Sequence, residues 1–211
     1  MKVLLVNGSP HEKGCTYTAL MEVAKTLHET GIETEIFQIG TKPLSGCIAC
    51  ANCRKTNRCI FNDRVNDFLD SAKDADGFVF GSPVHYASAC GSMTSFMDRV
   101  FYTDLCSNSR SFYLKPAAAV VSARRAGTTA AFDQLNKYLT ISEMPVISSR
   151  YWNMVHGASP EDVMKDLEGL QTMRVLGRNM AWFLKCKEAG MKAGVPLPEQ
   201  EERIGTNFIQ G

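Results

Sequence analysis

Residues 47–59 carry four cysteines: Cys47-Ile48-Ala49-Cys50-Ala51-Asn52-Cys53-Arg54-Lys55-Thr56-Asn57-Arg58-Cys59. The spacing is C-x2-C-x2-C-x5-C. Thiolates three residues apart can wrap one corner of a metal cluster, and tandem C-x2-C-x2-C is a known iron–sulfur ligand run. No second run exists to claim Cys59, so all four would ligate one 4Fe–4S centre. Zinc ribbons and fingers use two knuckles across a longer spacer. Zinc and unligated thiols are the alternatives. Arg54, Lys55 and Arg58 would offset the negative charge of a thiolate-bound cluster.

Three further segments set chemistry-bearing residues beside turn formers. Gly8-Ser9-Pro10-His11-Glu12-Lys13-Gly14-Cys15-Thr16-Tyr17-Thr18 offers the hydroxyls of Ser9, Thr16 and Thr18 and a run of backbone N–H groups. Such a loop at a helix N-terminus can hold a phosphate. In Ser82-Pro83-Val84-His85-Tyr86-Ala87-Ser88, Pro83 stiffens the turn, and His85 and Tyr86 could flank a flat ring beside Val84. In Ser122-Ala123-Arg124-Arg125-Ala126-Gly127-Thr128-Thr129, the paired Arg124 and Arg125 could neutralise an anionic ring or a nucleotide phosphate. The plain readings are a capped turn, a surface aromatic and a solvated charge pair.

Other phosphate chemistries fail on the letters. The chain has no G-x-x-x-x-G-K-[ST], no G-x-G-x-x-G and no G-x-S-x-G. What remains suits a monophosphate held as a permanent anchor, as in a mononucleotide cofactor, better than one to be transferred.

The elements that must position these turns alternate. Strand-like apolar runs fall at Lys2–Val6, Ile32–Ile39, Gly77–Gly81, Pro116–Ala123 and Pro145–Ser148. Helical spacing marks Thr16–Thr30, Ser88–Tyr102 and Ala130–Leu139. This alternation predicts an α/β fold: a doubly wound, flavodoxin-like parallel sheet of five strands in the order 2-1-3-4-5. Each chemistry-bearing turn then lies at the carboxyl end of a strand, where open sheets bind ligands. The cysteine run forms a loop insertion at 40–62. After Gly157, Ser159-Pro160-Glu161-Asp162 reads as a helix start. A stripe of Val163, Leu167, Leu170, Met173, Leu176, Met180 and Phe183 follows, fit to pack on its own domain or on a second subunit. Residues 190–211 read as a tail, so 158–211 form a C-terminal helix and tail on a single domain spanning 1–211. Cys90, Cys106 and Cys186 read as ordinary buried small residues.

Composition bounds the partners. Of 211 residues, Lys plus Arg is 23 and Asp plus Glu is 22. A net charge of +1 argues against a general nucleic-acid binder. No apolar stretch is long enough to span a membrane. The start MKVLLVNGSP reads as a buried strand rather than a secretory signal, so a cytoplasmic location is expected, where thiols stay reduced.

Taken together, the three turns resemble those of the NADPH-dependent FMN reductase group of flavodoxin-like proteins, over roughly residues 1–156. Gly8-Ser9-Pro10 through Thr16 resembles its phosphate loop, with Cys15 where that group often has Asn. Gly81 through Tyr86 resembles its isoalloxazine loop, and Arg124 through Thr129 its third flavin-side loop. The cysteine run is similar to that of the iron–sulfur flavoprotein branch. The resemblance implies an FMN-dependent oxidoreductase that draws electrons from ferredoxin or NAD(P)H and passes them to a small-molecule or protein acceptor. It also implies a homodimer or dimer of dimers, to which the aromatic surface of Tyr151-Trp152-Asn153 could contribute. Two other readings stay open: a plain NAD(P)H-dependent FMN, quinone or azo reductase with silent cysteines, and a flavodoxin-like carrier with no substrate of its own.

Overall fold

The computed structural model describes residues 1–107, 109–202 and 204–206. In chain order its elements are β1 (Lys2–Asn7), α1 (Cys15–Glu29), β2 (Glu33–Gln38), α2 (Cys53–Thr56), α3 (Arg64–Ala72), β3 (Gly77–His85), β4 (Ser88–Ala89), α4 (Gly91–Cys106), β5 (Ala117–Ala123), α5 (Thr128–Ile141), β6 (Met154–His156), α6 (Pro160–Val163) and α7 (Leu167–Lys192). Five strands pair in parallel in the order β2-β1-β3-β5-β6, and β4 folds back antiparallel on β3. Counted over the parallel strands alone, this is the flavodoxin-like 2-1-3-4-5 order.

The sheet is covered on both faces, and its sequence shows why. Successive strand side chains point to opposite faces. Leu4, Val6, Phe78, Phe80, Ala119 and Val121 join the core beneath α3, α4 and α5. Val3, Leu5, Val79, Ala118 and Val120 join the core beneath α1, α6 and α7. A strand that is apolar at every position is what two buried faces require. On the first face, Phe68 of α3 meets Phe37 and Phe96 edge-on, at centroid distances of 5.1 and 5.2 Å. That cluster fixes α3 against α4, whose neighbouring polar residues matter below.

The long apolar stripe packs within its own chain. Leu170, Met173, Leu176 and Met180 share a core with Val23 and Leu27 of α1. A Cβ on Gly177 would lie 2.9 Å from Thr26 Cβ, so glycine permits the close approach of α7 to α1. The stripe is two helices, not one. Ser159 caps α6 by accepting from Asp162 N, and Asp166 caps α7 by accepting from Gly169 N at 2.9 Å. Leu167 lies outside the packed stripe at 74% exposure.

Three expectations need correction. The fifth parallel strand is not Pro145–Ser148. Val146 makes only a bridge to Ala117, and β6 lies at Met154–His156. Between them the chain leaves the ladder, and Asn153 Nδ2 donates to the Ala119 carbonyl in its place. The helix expected from Ser88 starts at Gly91, because Ser88 and Ala89 pair back onto β3. The C-terminal helix runs to Lys192, three residues into the stretch read as tail. Arg203 and residues 207–211 of that tail lie outside the described residues. Helices α2 and α3 carry no expectation from the sequence. No helix among the described residues is long and apolar enough to cross a membrane.

Candidate functional site: a flavin edge and a cysteine pocket

Three loops meet at the carboxyl ends of the parallel strands. The first follows β1. Gly8 N donates to Gly81 O at 2.8 Å, and a Cβ on Gly8 would sit 2.7 Å from Met93 Sδ. Only glycine lets this loop lie against β3 and α4. Thr16, in the first turn of α1, places its hydroxyl 2.8 Å from Ser122 Oγ at the end of β5. Gly127 takes φ +95°, ahead of α5, and a Cβ there would meet Val84 at 3.0 Å. The first and third loops are joined by Thr16 and Ser122, the second and third by Val84 and Gly127.

The Ser9 and Thr18 hydroxyls are engaged with the loop itself. Ser9 Oγ accepts from His11 N, Ser9 N donates to Asn7 Oδ1, and Thr18 Oγ1 donates to Gly14 O. The amides of Cys15, Thr16 and Tyr17 have no protein acceptor among the described residues, and Gly14 supplies no side-chain cap. An uncapped helix start of this kind presents donors and a partial positive charge to an anion. Pro10 and His11 are exposed at its rim. The Cys15 thiol donates to Gly157 O at 3.6 Å. Burial pushes that thiol's pKa up, and the Asp162 and Glu161 carboxylates add to the rise.

In the second loop β3 and β4 form a hairpin with Tyr86 and Ala87 at its tip. Tyr86 has φ +65° and a fully exposed side chain. An aromatic residue in the left-handed region is uncommon and costs of order 1–3 kcal/mol, a strain that clusters at binding sites. His85 is exposed beside it, and Pro83 is half-buried. In the third loop Arg124 and Arg125 are exposed, while Ser122 is buried. Helix α5 also starts without a side-chain cap.

The second feature is a half-open pocket lined by Cys47, Cys50, Cys53, Cys59, Arg99 and Tyr102. Ala49 and Ala51, on either side of Cys50, take φ +53° and +57°. Two strained alanines curl the loop so that its cysteines surround the pocket. Burial pushes the Cys53 thiol pKa up, and Cys106 of α4 beside it adds to the rise. Cys106 is half-buried beside Cys53 rather than in the core, and Cys186 is exposed; only Cys90 is the buried residue expected.

Sequence reasoning missed Arg99 and Asp63. Arg99 is 1% exposed. Its guanidinium makes a forked pair with Asp63 at 2.8 and 2.9 Å, donates twice to Cys59 Sγ at 3.2 and 3.1 Å, and lies 4.7 Å from the Phe61 ring centroid. The available signal was one arginine inside the apolar run Phe96 to Phe101.

Comparison with known proteins decides the family. The family model for NADPH-dependent FMN reductase matches residues 1–159.

The chain belongs to that family.

Within it, an iron–sulfur flavoprotein of Methanocaldococcus jannaschii is 31% identical over 190 residues, covering 88% of this chain and 98% of the relative. An iron–sulfur flavoprotein of Archaeoglobus fulgidus is 28% identical, covering 87% and 97%. These place the chain in the iron–sulfur flavoprotein branch of the FMN reductase family, an oxidoreductase family. Among solved structures, RosB with a bound 8-demethyl-8-formylriboflavin-5′-phosphate intermediate aligns with TM-score 0.68 at 14% identity, over 100% of this chain and 92% of its own. An archaeal flavodoxin aligns with TM-score 0.58 at 17% identity, over 88% and 99%. At these identities the likeness is one of fold.

The residues fit both groups that the family and its relatives bring to mind. For an FMN phosphate, this FMN reductase relative offers uncapped amides at α1. For a cluster, it offers four thiols around one pocket next to a buried cation. Among the described residues no three His, Cys, Asp or Glu side chains converge as a single ion requires. The sulfurs surround a pocket rather than a point.

Proposed function

We propose that the chain is an FMN-dependent electron-transfer oxidoreductase carrying a 4Fe–4S cluster on Cys47, Cys50, Cys53 and Cys59. The observation that carries this reading is a short run of hydrogen bonds and adjoining residues that leads from one feature to the other. Gln38, at the end of β2, donates to Ser9 O at 2.8 Å and accepts from Arg64 at 2.9 Å. Arg64 adjoins Asp63, which grips Arg99, which in turn donates to Cys59. The flavin loop and the fourth cysteine are thus linked through the Gln38 side chain and backbone carbonyl, the adjoining pair Arg64 and Asp63, and Arg99.

FMN, when bound, takes up a hydride or two electrons and releases electrons singly. The chain's own residues do the holding. The amides of Cys15, Thr16 and Tyr17 receive the phosphate, with Ser9, Pro10, His11 and Thr18 shaping the loop. Pro83, Val84, His85 and Tyr86 border the ring. Arg124 and Arg125, beside Ser122 and Gly127, supply positive charge near it, which favours an anionic reduced state. No side-chain acid or base is required. The donor is ferredoxin or NAD(P)H, and the acceptor a small molecule or a protein. The exposed arginine pair also suits a pyridine-nucleotide phosphate. That observation supports the second reading, a plain NAD(P)H-dependent reductase with silent cysteines.

Protein purified without oxygen tests this directly. Flavin absorption with a broad brown shoulder and about four iron per chain is the expected result. Flavin bands without iron would move the assignment to the plain reductase, and neither signal would remove both. We further propose a cytoplasmic homodimer. All eight cysteines are free, as a reducing compartment keeps them. Tyr151 and Trp152 are paired and half exposed near β6, open to a second copy. A monomeric mass by light scattering would overturn the dimer.

A further inference from the structure

We infer that Arg99 is a positioning residue that sets the reduction potential of the cysteine-bound cluster through Cys59, with Asp63 as its counterweight. The inference rests on the cluster reading above. Three observations carry it. Arg99 is a fully buried cation, which has to be paired to be tolerated. It spends two of its N–H groups on one sulfur, at 3.1 and 3.2 Å, although Asp63 is already within reach. A structural ion pair needs only the carboxylate; the bonds to sulfur act on Cys59. The guanidinium also donates to the Ser45 carbonyl at 3.4 Å, so the approach to Cys47 and the fourth cysteine are tied to one rigid fork.

Hydrogen bonds to ligating sulfur and nearby positive charge stabilise the more negative, reduced state of an iron–sulfur cluster, and so raise its potential. Arg99 remains charged at any working pH. Asp63 opposes it with a negative charge from the other side of the fork. The two residues therefore act with opposite signs.

The test is a pair of variants with redox titration followed by electron paramagnetic resonance, on protein purified without oxygen. Arg99→Gln removes the charge and shifts the potential to more negative values. Arg99→Lys keeps the charge but not the fork, and recovers part of that shift. Asp63→Asn keeps the cap on α3, since Asn caps as well as Asp, and shifts the potential to more positive values. The flavin spectrum in each sample reports folding. If Arg99→Gln fails to fold, Asp63→Asn still supplies the sign. Shifts of the same sign in Arg99→Gln and Asp63→Asn, or no shift in a variant holding its full iron, would overturn the role of Arg99 while leaving the cluster in place. An iron-free wild-type protein would instead overturn the cluster reading, and this inference with it.

Discussion

Thr16 and Ser122 are 106 residues apart in sequence and share a buried hydrogen bond of 2.8 Å. It ties the start of α1 to the end of β5, so the uncapped amides of α1 and the Arg124–Arg125 loop keep a fixed relation. Thr16→Val deletes one hydroxyl at nearly constant volume and leaves Ser122 buried and unpaired. The expected cost is about 1–3 kcal/mol of stability. The double variant Thr16→Val, Ser122→Ala should recover part of it, because removing both partners is cheaper than orphaning one. Urea unfolding of the three proteins checks this. FMN affinity, read by flavin fluorescence, should fall in the single variant; an unchanged affinity would mean that the bond does not order the flavin loop.

Tyr86 sets stability against binding. Its left-handed backbone suits glycine, so Tyr86→Gly should relieve strain of order 1 kcal/mol. The same change deletes the exposed ring proposed to lie beside the flavin. A higher melting temperature with weaker FMN retention is the expected outcome. Unaltered retention would take Tyr86 out of the site.

Asp70 links α3 to the cysteine loop. Its carboxyl pKa is lowered to about 2 by hydrogen bonding to Arg58 and then Lys73. A carboxyl whose folded pKa lies below its unfolded value stabilises the fold above the unfolded pKa. It loses that contribution as pH falls through the folded one. The window here runs from the ordinary value of 3.8 down to about 2. The side chain is 47% exposed, so solvent screening limits the pair to about 0.2–1 kcal/mol. Asp70→Asn should cost that much at pH 7 and only a small fraction of it by pH 2, with a smaller effect in high salt. An equal deficit at both pH values, measured by denaturant unfolding, would rule out the ion pair as its source.

Cys50 sits between the two strained alanines at the exposed lip of the pocket. Cys50→Ser should abolish iron binding and leave FMN in place, because the flavin loops draw no residue from 47–59. Iron and flavin assays on one preparation decide it. Joint loss of both would show that the cysteine loop is structural.

The main lines of the fold were legible because parallel strands buried on both faces announce themselves as apolar runs, and their order follows from the α/β alternation. The three strand-end loops were legible for the same reason: Gly8, Pro83 and Gly127 mark turns that the sheet brings to one edge. The fifth strand was misplaced because Asn153, a polar residue, takes a ladder position through its side chain, and no hydropathy pattern records that. Helix α3 was missed because Arg64, Asn66, Asp67 and Asp70 mask Val65, Phe68 and Leu69. The cysteine spacing marked the four thiols that line the pocket but not their surroundings. Arg99 lies 40 residues from Cys59, and only the packing of α3 on α4 brings them together.

That separation bears on how the proposed cluster would be loaded. Cys47, Cys50 and Cys53 lie within seven residues and can approach a metal while the chain is still open. Cys59 is held by Arg99 of α4, a contact that exists only once α4 is docked. A nascent or partly folded chain thus offers three local thiols and a wandering fourth. On the proposed cluster, full occupancy of the pocket is an event of the finished domain, and a lesion in the core beneath Phe68 and Phe96 should surface first as missing iron, before it surfaces as lost secondary structure.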